Sequence, residues 1–369
     1  MSFADSPFAD SPFAASVFAD AANPLPIWCY GLAFLTALAI VLISIPLVRR
    51  IAIQQGYIDL PSARKVHQQP IPRVGGISIF IGTITALLII WKLGVFNLLA
   101  INPNPGIWGV IAGSICFFLI GLADDLTGLS PISRLVMQSM ISSLVWVGGV
   151  RIEFISLPGF GLVHLGWLSL LITVIWLVGV VNAINWIDGL DGLASGVSGI
   201  AATASFIICL HTGQFLAALI VLTLSGSLLG FLFYNFNPAQ IFMGDGGSYF
   251  IGFLLAGVGV IGLVKGATAT AIFLPFIVLA VPLLDMSAVI IARVRRGHSP
   301  FLADKRHLHH RLLQAGLSHR VTVLVIYAIA LWVGSLAITF VGMPNSLLFL
   351  GSATGLLGYM SWKAWQSAR

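Results

Sequence analysis

Charge is what this chain has least of. Of its 369 residues only 8% are Asp, Glu, Lys or Arg, while 58% are hydrophobic. An ordinary soluble domain carries about a quarter charged residues. With a mean hydropathy of +1.02, too little polar surface remains to cover one core, which excludes a soluble single-core enzyme. Glutamate is almost missing: eleven of the twelve acids are Asp, and Glu153 is the exception. Solvent-facing helix is therefore scarce, and each Asp has to be read singly. The three cysteines, Cys29, Cys116 and Cys209, all lie in apolar runs and form no CxxC pair, so they read as small packing residues. Residues 1–26 hold no Lys or Arg, which excludes the basic n-region of a signal peptide.

What those first residues do contain is a repeat. Phe3-Ala4-Asp5-Ser6-Pro7 recurs at Phe8–Pro12 and decays through Phe13 and Phe18. A five-residue, proline-bearing period has no helical register, so residues 1–26 are expected to be a disordered extracytoplasmic tail. Residues 27–369 are expected to form one polytopic domain. Apolar runs cover approximately 28–48, 75–95, 107–123, 132–150, 167–186, 190–210, 214–234, 247–264, 269–291, 321–341 and 346–364. The expected fold is an all-α integral membrane protein of about eleven transmembrane helices.

Charge then sets orientation. Arg49-Arg50 follow the first run, which puts the N-terminus outside. On that map 15 of the 18 Lys and Arg residues fall on the inner side, and only Lys92, Arg151 and Lys265 on the outer. The net charge of +6 thus reflects topology, not a nucleic-acid partner. Asp59, Asp124, Asp125, Asp188, Asp191, Asp245 and Asp304 gather at the same inner face, with His67, His298, His307, His309, His310 and His319. An acid at mid-membrane costs about 2.5–3.5 kcal/mol and less at the interface. Seven carboxylates from five separate inner segments point to a reaction site open to the cytosol.

Five segments carry the chemistry. Adjacent carboxylates at Asp124-Asp125 repel, so one must pair with a cation, face a metal or be held protonated; Arg134 is a candidate partner, and a solvated turn is the plain alternative. Asn182, Asn185, Asp188 and Asp191 recur at every third position. On one helix each such step turns 300°, so the four converge only if the helix breaks, and Gly189 and Gly192 offer the break. Oxygen ligands on such an interrupted segment suit a hard cation or a nucleotide. In Gly244-Asp245-Gly246-Gly247-Ser248 a glycine turn opens the next span, which favours phosphate at a helix N-terminus, with Asp245 able to hold a divalent metal. The basic stretch from Arg293 to Arg311 carries four histidines within thirteen residues. Anion recognition, positive-inside topology alone and a transition-metal site are its three readings. Asp59 through Arg64, Lys65, His67, Pro70, Pro72 and Arg73 to Gly75-Gly76 is the fifth segment and, alone, reads as a basic loop. Together these pieces suit phosphoryl transfer between a soluble activated donor and a lipid acceptor. A secondary transporter of an anion is the rival class; clustering of the acids at one face and the lack of half-repeats count against it.

From about Asp59 to Arg311, through all five segments in order, the sequence resembles the polyprenyl-phosphate N-acetylhexosamine-1-phosphate transferases. The stretch Asp304-Lys305-Arg306-His307-Leu308-His309-His310-Arg311 resembles the UDP-N-acetylglucosamine branch. The alternative branch transfers phospho-N-acetylmuramoyl-pentapeptide and typically carries three consecutive histidines. The resemblance implies that N-acetylglucosamine-1-phosphate passes from UDP-N-acetylglucosamine to undecaprenyl or another polyprenyl phosphate, with release of UMP, as the first membrane step of a cell-envelope glycan such as a teichoic acid or O-antigen. It implies a multi-pass protein of the inner (plasma) membrane, in contact with lipid, and allows a homodimer. The implied cofactor is Mg²⁺, with Mn²⁺ as substitute. Asp124, Asp125 and Asp245 are then catalytic, the first two beside the lipid phosphate. Asp245 and Asn185 would hold the metal. Asn182, Asp188, Asp191, Arg134, Arg306, His307, His309 and His310 would contact the donor.

Overall fold

A backbone surrounded by apolar side chains has to satisfy its own hydrogen bonds, and a helix does so within one segment. The computed structural model describes residues 25–59, 70–95, 105–157, 161–263, 273–297 and 306–367. Tail residues 1–24, Arg64, Lys65, His67, Lys265, His298, Asp304 and Lys305 lie outside the described residues. The described part of each of the eleven apolar runs falls mainly on helix. The helices are α1 (Ile27–Gln55), α2 (Gly76–Lys92), α3 (Pro105–Thr127), α4 (Pro131–Val147), α5 (Leu168–Ile187), α6 (Leu193–His211), α7 (Phe215–Asn235), α8 (Gly244–Val258), α9 (Leu274–Val278), α10 (Ala280–Val294), α11 (Leu308–Gln314), α12 (His319–Phe340) and α13 (Ser346–Ser367). Seven helical segments are long and apolar enough to cross a membrane: α1, α3, α5, α6, α7, α12, and α8 extended by its π-helical turn to Gly262. The run at 269–291 is divided into α9 and α10, and α2 and α4 have 17 residues each. All-helical is thus the architecture with two small additions. Antiparallel pairs join Ile58–Asp59 to Ile71–Pro72 and Phe154–Leu157 to Gly161–His164. The three cysteines are unpaired thiols, with Cys29 and Cys209 buried.

Helix α8 is the axis of the assembly. It packs chiefly on α3 and α5, and α2 also lies against it. Every residue from Gly246 to Val258 is buried. In lipid the hydrophobic effect does not drive helices together, so close approach through small residues does. A Cβ on Gly76 would overlap the Gly247 backbone, and one on Gly121 the Asp245 carbonyl. Phe117 stacks on Phe253 at 4.5 Å between ring centres, and Trp176 Nε1 donates to the Ala256 carbonyl at 3.0 Å. Thr83 of α2 donates to Ser227 of α7 at 2.8 Å. The result is that the first residues of α8 are fixed by backbone-to-backbone contact.

Candidate active site

The chain enters α8 along the segment that precedes α2. Phe242 N donates to the Pro72 carbonyl at 2.8 Å, Gly75 N to Phe242 O at 2.9 Å and Gly76 N to Met243 O at 2.7 Å. This pairing carries Arg73 to the head of α8. Gly244 has φ +77°, and a Cβ there would also meet the Arg73 carbonyl and the Asp125 carboxylate; only glycine suits both conditions.

Asp125 caps α8. Its Oδ1 accepts from Asp245 N and its Oδ2 from Gly246 N, each at 2.9 Å, and Arg73 Nε lies 3.5 Å from Oδ1. A phosphate was expected on these N–H groups. A carboxylate of the chain occupies them instead, and it satisfies the same orphan donors and the same dipole. Asp124 turns away, because neighbouring positions on a helix diverge by about 100°. Its Oδ2 meets Arg134 Nη1 at 2.8 Å, its Oδ1 accepts from Leu129 N at 2.8 Å, and Tyr249 Oη lies 3.4 Å from Oδ2. The acidic pair thus resolves its repulsion by two partnerships, and Arg134 is the cation for one of them.

Asp245 sits where these groups converge. Asn185 Nδ2 donates to Oδ1 at 2.7 Å, Arg73 Nη2 to Oδ2 at 3.2 Å, and Arg134 Nη1 is 3.9 Å from Oδ2. Asn185 Nδ2 also reaches Ser248 Oγ at 3.0 Å, which leaves its carbonyl oxygen as the group available to a cation. Helix α5 stops at Ile187 and α6 starts at Leu193, with Gly192 at φ +79°, so the expected break occurs. It brings Asn185, Asp188 and Asp191 to one cleft of about 820 Å³, together with Asp245, Arg73, Arg49, His310 and His319. Asn182 stays on the continuous part of α5 and bonds Gln138 of α4 at 2.8 Å; it does not line the cleft. Asp191 Oδ2 accepts from Asn237 Nδ2 at 2.9 Å and Ala239 N at 3.1 Å, so it also ties down the loop before α8.

Asp188 accepts no hydrogen bond from a described residue. Burial, aided by the Asp245 charge, pushes its pKa up to about 7 from the ordinary 3.8. A cation would relieve that crowding of negative charge. Among the described residues no three or more His, Cys, Asp or Glu side chains form a cage for a metal. A hard cation such as Mg²⁺ needs none, because it is commonly held by one or two carboxylates, with substrate phosphates and waters completing the shell. Asp245, Asp188 and the Asn185 oxygen fit that pattern.

The histidines divide. His310 lines the cleft, whereas His307 and His309 are buried and do not. His307 Nδ1 donates to Asp285 Oδ2 at 2.8 Å. His309 lies against Gly189, where a Cβ would strike its ring, and neither ring nitrogen has a hydrogen-bond partner among the described residues. Burial, then its neighbours His310 and His307, pulls the His309 pKa down to about 3, so the ring is neutral at physiological pH. Arg306 is exposed and outside the cleft lining. Sequence reasoning missed Arg73 as a site residue and passed over Asp285 entirely. The signal for Asp285 was there: a lone carboxylate inside an apolar run is expensive and needs a partner.

Residues 107–263 match the family model of glycosyl transferase family 4. A probable undecaprenyl-phosphate N-acetylglucosaminyl 1-phosphate transferase of Bacillus subtilis is 40% identical over 298 residues, which is 80% of this chain and 81% of that protein. A decaprenyl-phosphate N-acetylglucosaminephosphotransferase of Mycolicibacterium smegmatis is 36% identical, over 92% and 87% of the two chains. An undecaprenyl-phosphate alpha-N-acetylglucosaminyl 1-phosphate transferase of Salmonella typhimurium is 30% identical, over 89% of each.

Proposed function

The chain belongs to glycosyl transferase family 4, and from that premise we propose that it transfers N-acetylglucosamine-1-phosphate from UDP-N-acetylglucosamine to a polyprenyl phosphate, undecaprenyl phosphate being the expected acceptor, and releases UMP. The observation that carries this reading is Asp245 at the head of the buried α8, opening into a cleft it shares with Asn185, Asp188, Arg73 and His310. The cleft volume of about 820 Å³ is in the range of small-molecule sites. The names of the relatives supply the donor and acceptor classes.

In this proposal Asp245 would hold Mg²⁺, with Asp188 and the Asn185 oxygen beside it; an ion bound there would supply positive charge to the donor diphosphate and to the departing UMP. Arg73, a cation at the same carboxylates, binds a donor phosphate. Asp125 holds the head of α8 rigid, so that Asp245 keeps one position through the reaction. The Asp124–Arg134 pair stands next to it as a site for the acceptor phosphate. An acceptor oxygen bonds the sugar-side phosphorus while the bond to the UMP oxygen breaks in line. The charge bias of the connecting segments supports an N-terminus outside the cell and a cleft at the cytosolic face of the plasma membrane.

The test is release of labelled UMP from UDP-N-acetylglucosamine by the purified protein. Release that depends on both polyprenyl phosphate and Mg²⁺ supports the reading. Release from UDP-N-acetylmuramoyl-pentapeptide instead would assign the other branch. Uptake of the nucleotide into vesicles without UMP release would make the protein a transporter.

A further inference from the structure

We propose that Asp285 is a positioning residue for the donor: it holds the short histidine helix α11 against the cleft by acting through His307. The inference rests on the transfer reaction proposed above. Asp285 lies on α10, is 8% exposed and does not line the cleft. Its Oδ2 accepts from His307 Nδ1 at 2.8 Å and its Oδ1 from Leu308 N at 2.6 Å. Leu308 begins α11, and the N-cap His307 makes no side-chain cap of its own. A carboxylate from a different helix therefore does the work of the cap and fixes the ring beside it.

The contacts run onward from His307 to the cleft. The His307 ring stands edge-on to Trp186 at 6.0 Å, and the Arg293 guanidinium lies 4.9 Å from the centre of the same indole. Trp186 directly follows Asn185, which bonds Asp245. His307 stacks on His309 at 5.6 Å with planes 9° apart, and His309 meets His310 at 4.3 Å. His309 in turn fills the space left by the missing side chain of Gly189. One buried carboxylate thus sets the first ring of a stack whose last member, His310, faces the cleft. In the proposed reaction His310 is then held ready for the donor and not for the lipid.

The experiment compares Asp285→Ala with Asp285→Asn in the full-length protein in nanodiscs. Two readouts are taken: steady-state kinetics of UMP release, and amide hydrogen exchange over residues 307–314. Asparagine keeps an oxygen for Leu308 N and offers an amide N–H to the other His307 tautomer. Asp285→Ala is expected to lower kcat/KM for UDP-N-acetylglucosamine tenfold or more, mainly through KM, at unchanged KM for polyprenyl phosphate. Exchange over 307–314 should rise in the same variant. Asp285→Asn should restore both to within about threefold of wild type. Equal loss in the two variants, unchanged donor KM in Asp285→Ala, or raised exchange without a change in donor KM would each overturn the proposal. A wild-type protein that releases no UMP defeats the transfer reading by itself; the exchange comparison then still decides whether Asp285 clamps α11.

Discussion

The head of α8 and the histidine helix α11 border the same cleft but are held by opposite means. Asp245 is placed by backbone against backbone: Gly121 of α3 and Gly76 of α2 leave no room for a Cβ, and α8 is buried along its length. Helix α11 has seven residues and is held through side chains: Leu308, Leu312 and Leu313 pack on the core, and polar and ring contacts tie its first turn to Asp285, Trp186 and the open space at Gly189. The acidic centre therefore resembles a core, where a misplaced atom disturbs several helices together. The histidine helix resembles a docked part, whose contacts can be loosened singly.

The comparison breaks most visibly at Gly121. Alanine there has to displace the Asp245 carbonyl, a form of overpacking that costs about 1–3 kcal/mol. Nearly all UMP release should be lost and the detergent-solubilised protein should melt lower. Gly358→Ala in α13, where no atom of a described residue lies within 4 Å of the new Cβ, should change neither quantity. Wild-type turnover by Gly121→Ala would show that the head of α8 is not held by backbone contact.

Asp245→Asn should come next, with kcat reduced about 10²-fold or more, in line with removal of a charge that acts on the transition state. Insertion into the membrane should be normal, and calorimetry should show weakened Mg²⁺ binding. Near-normal turnover with unchanged Mg²⁺ dependence would remove Asp245 from the metal.

A smaller effect should separate the histidines. His310→Ala, at the cleft, should lower kcat/KM for the N-acetylglucosamine donor by roughly tenfold, the worth of one hydrogen bond to a charged group. Its KM for polyprenyl phosphate should stay the same. His309→Ala, which empties a buried position, should act on the order of α11, seen as faster hydrogen exchange over 307–314. Identical kinetics for both variants would mean that the two rings share one role.

The smallest effect is on stability against pH. His309 has a pKa near 3 in the folded chain against an ordinary 6.5. Below pH 6.5 the unfolded chain binds the proton that the folded chain refuses, so stability falls as pH drops from 6.5 towards 3. Melting temperature followed across that window should decline less steeply in His309→Gln. Parallel curves would place the acid sensitivity elsewhere.

Much of this architecture is legible in the sequence. Long apolar runs read as helix because the requirement to close backbone hydrogen bonds is local. The break after Ile187 was legible because four polar residues at threefold spacing cannot share one helical face, and glycines stood at hand. The cleft contains Asn185, Asp188, Asp191, Asp245 and His310 from that reading. Asn182 escaped it, because spacing alone does not say on which side of the break a residue falls. The two glycine-flanked N–H groups of α8 looked free for phosphate because nothing near them in sequence could cap them. Their acceptor, Asp125, lies 120 positions away.

By itself the sequence determined that this protein lives in a membrane, that its helices follow one another in this order, and that its carboxylates, histidines and arginines gather at or near helix ends. These are properties of segments, and hydropathy, charge and backbone hydrogen bonding act segment by segment. The tertiary structure alone decided which of the two acids Arg134 meets, Asp124, and the partners no local spacing suggests: Asp125 for the head of α8, Arg73 for Asp245 and Asp285 for His307. A hydrogen bond or ion pair holds only within about 3–4 Å. Which groups come that close depends on how helices distant in sequence pack, and here glycines facing α8 set that packing.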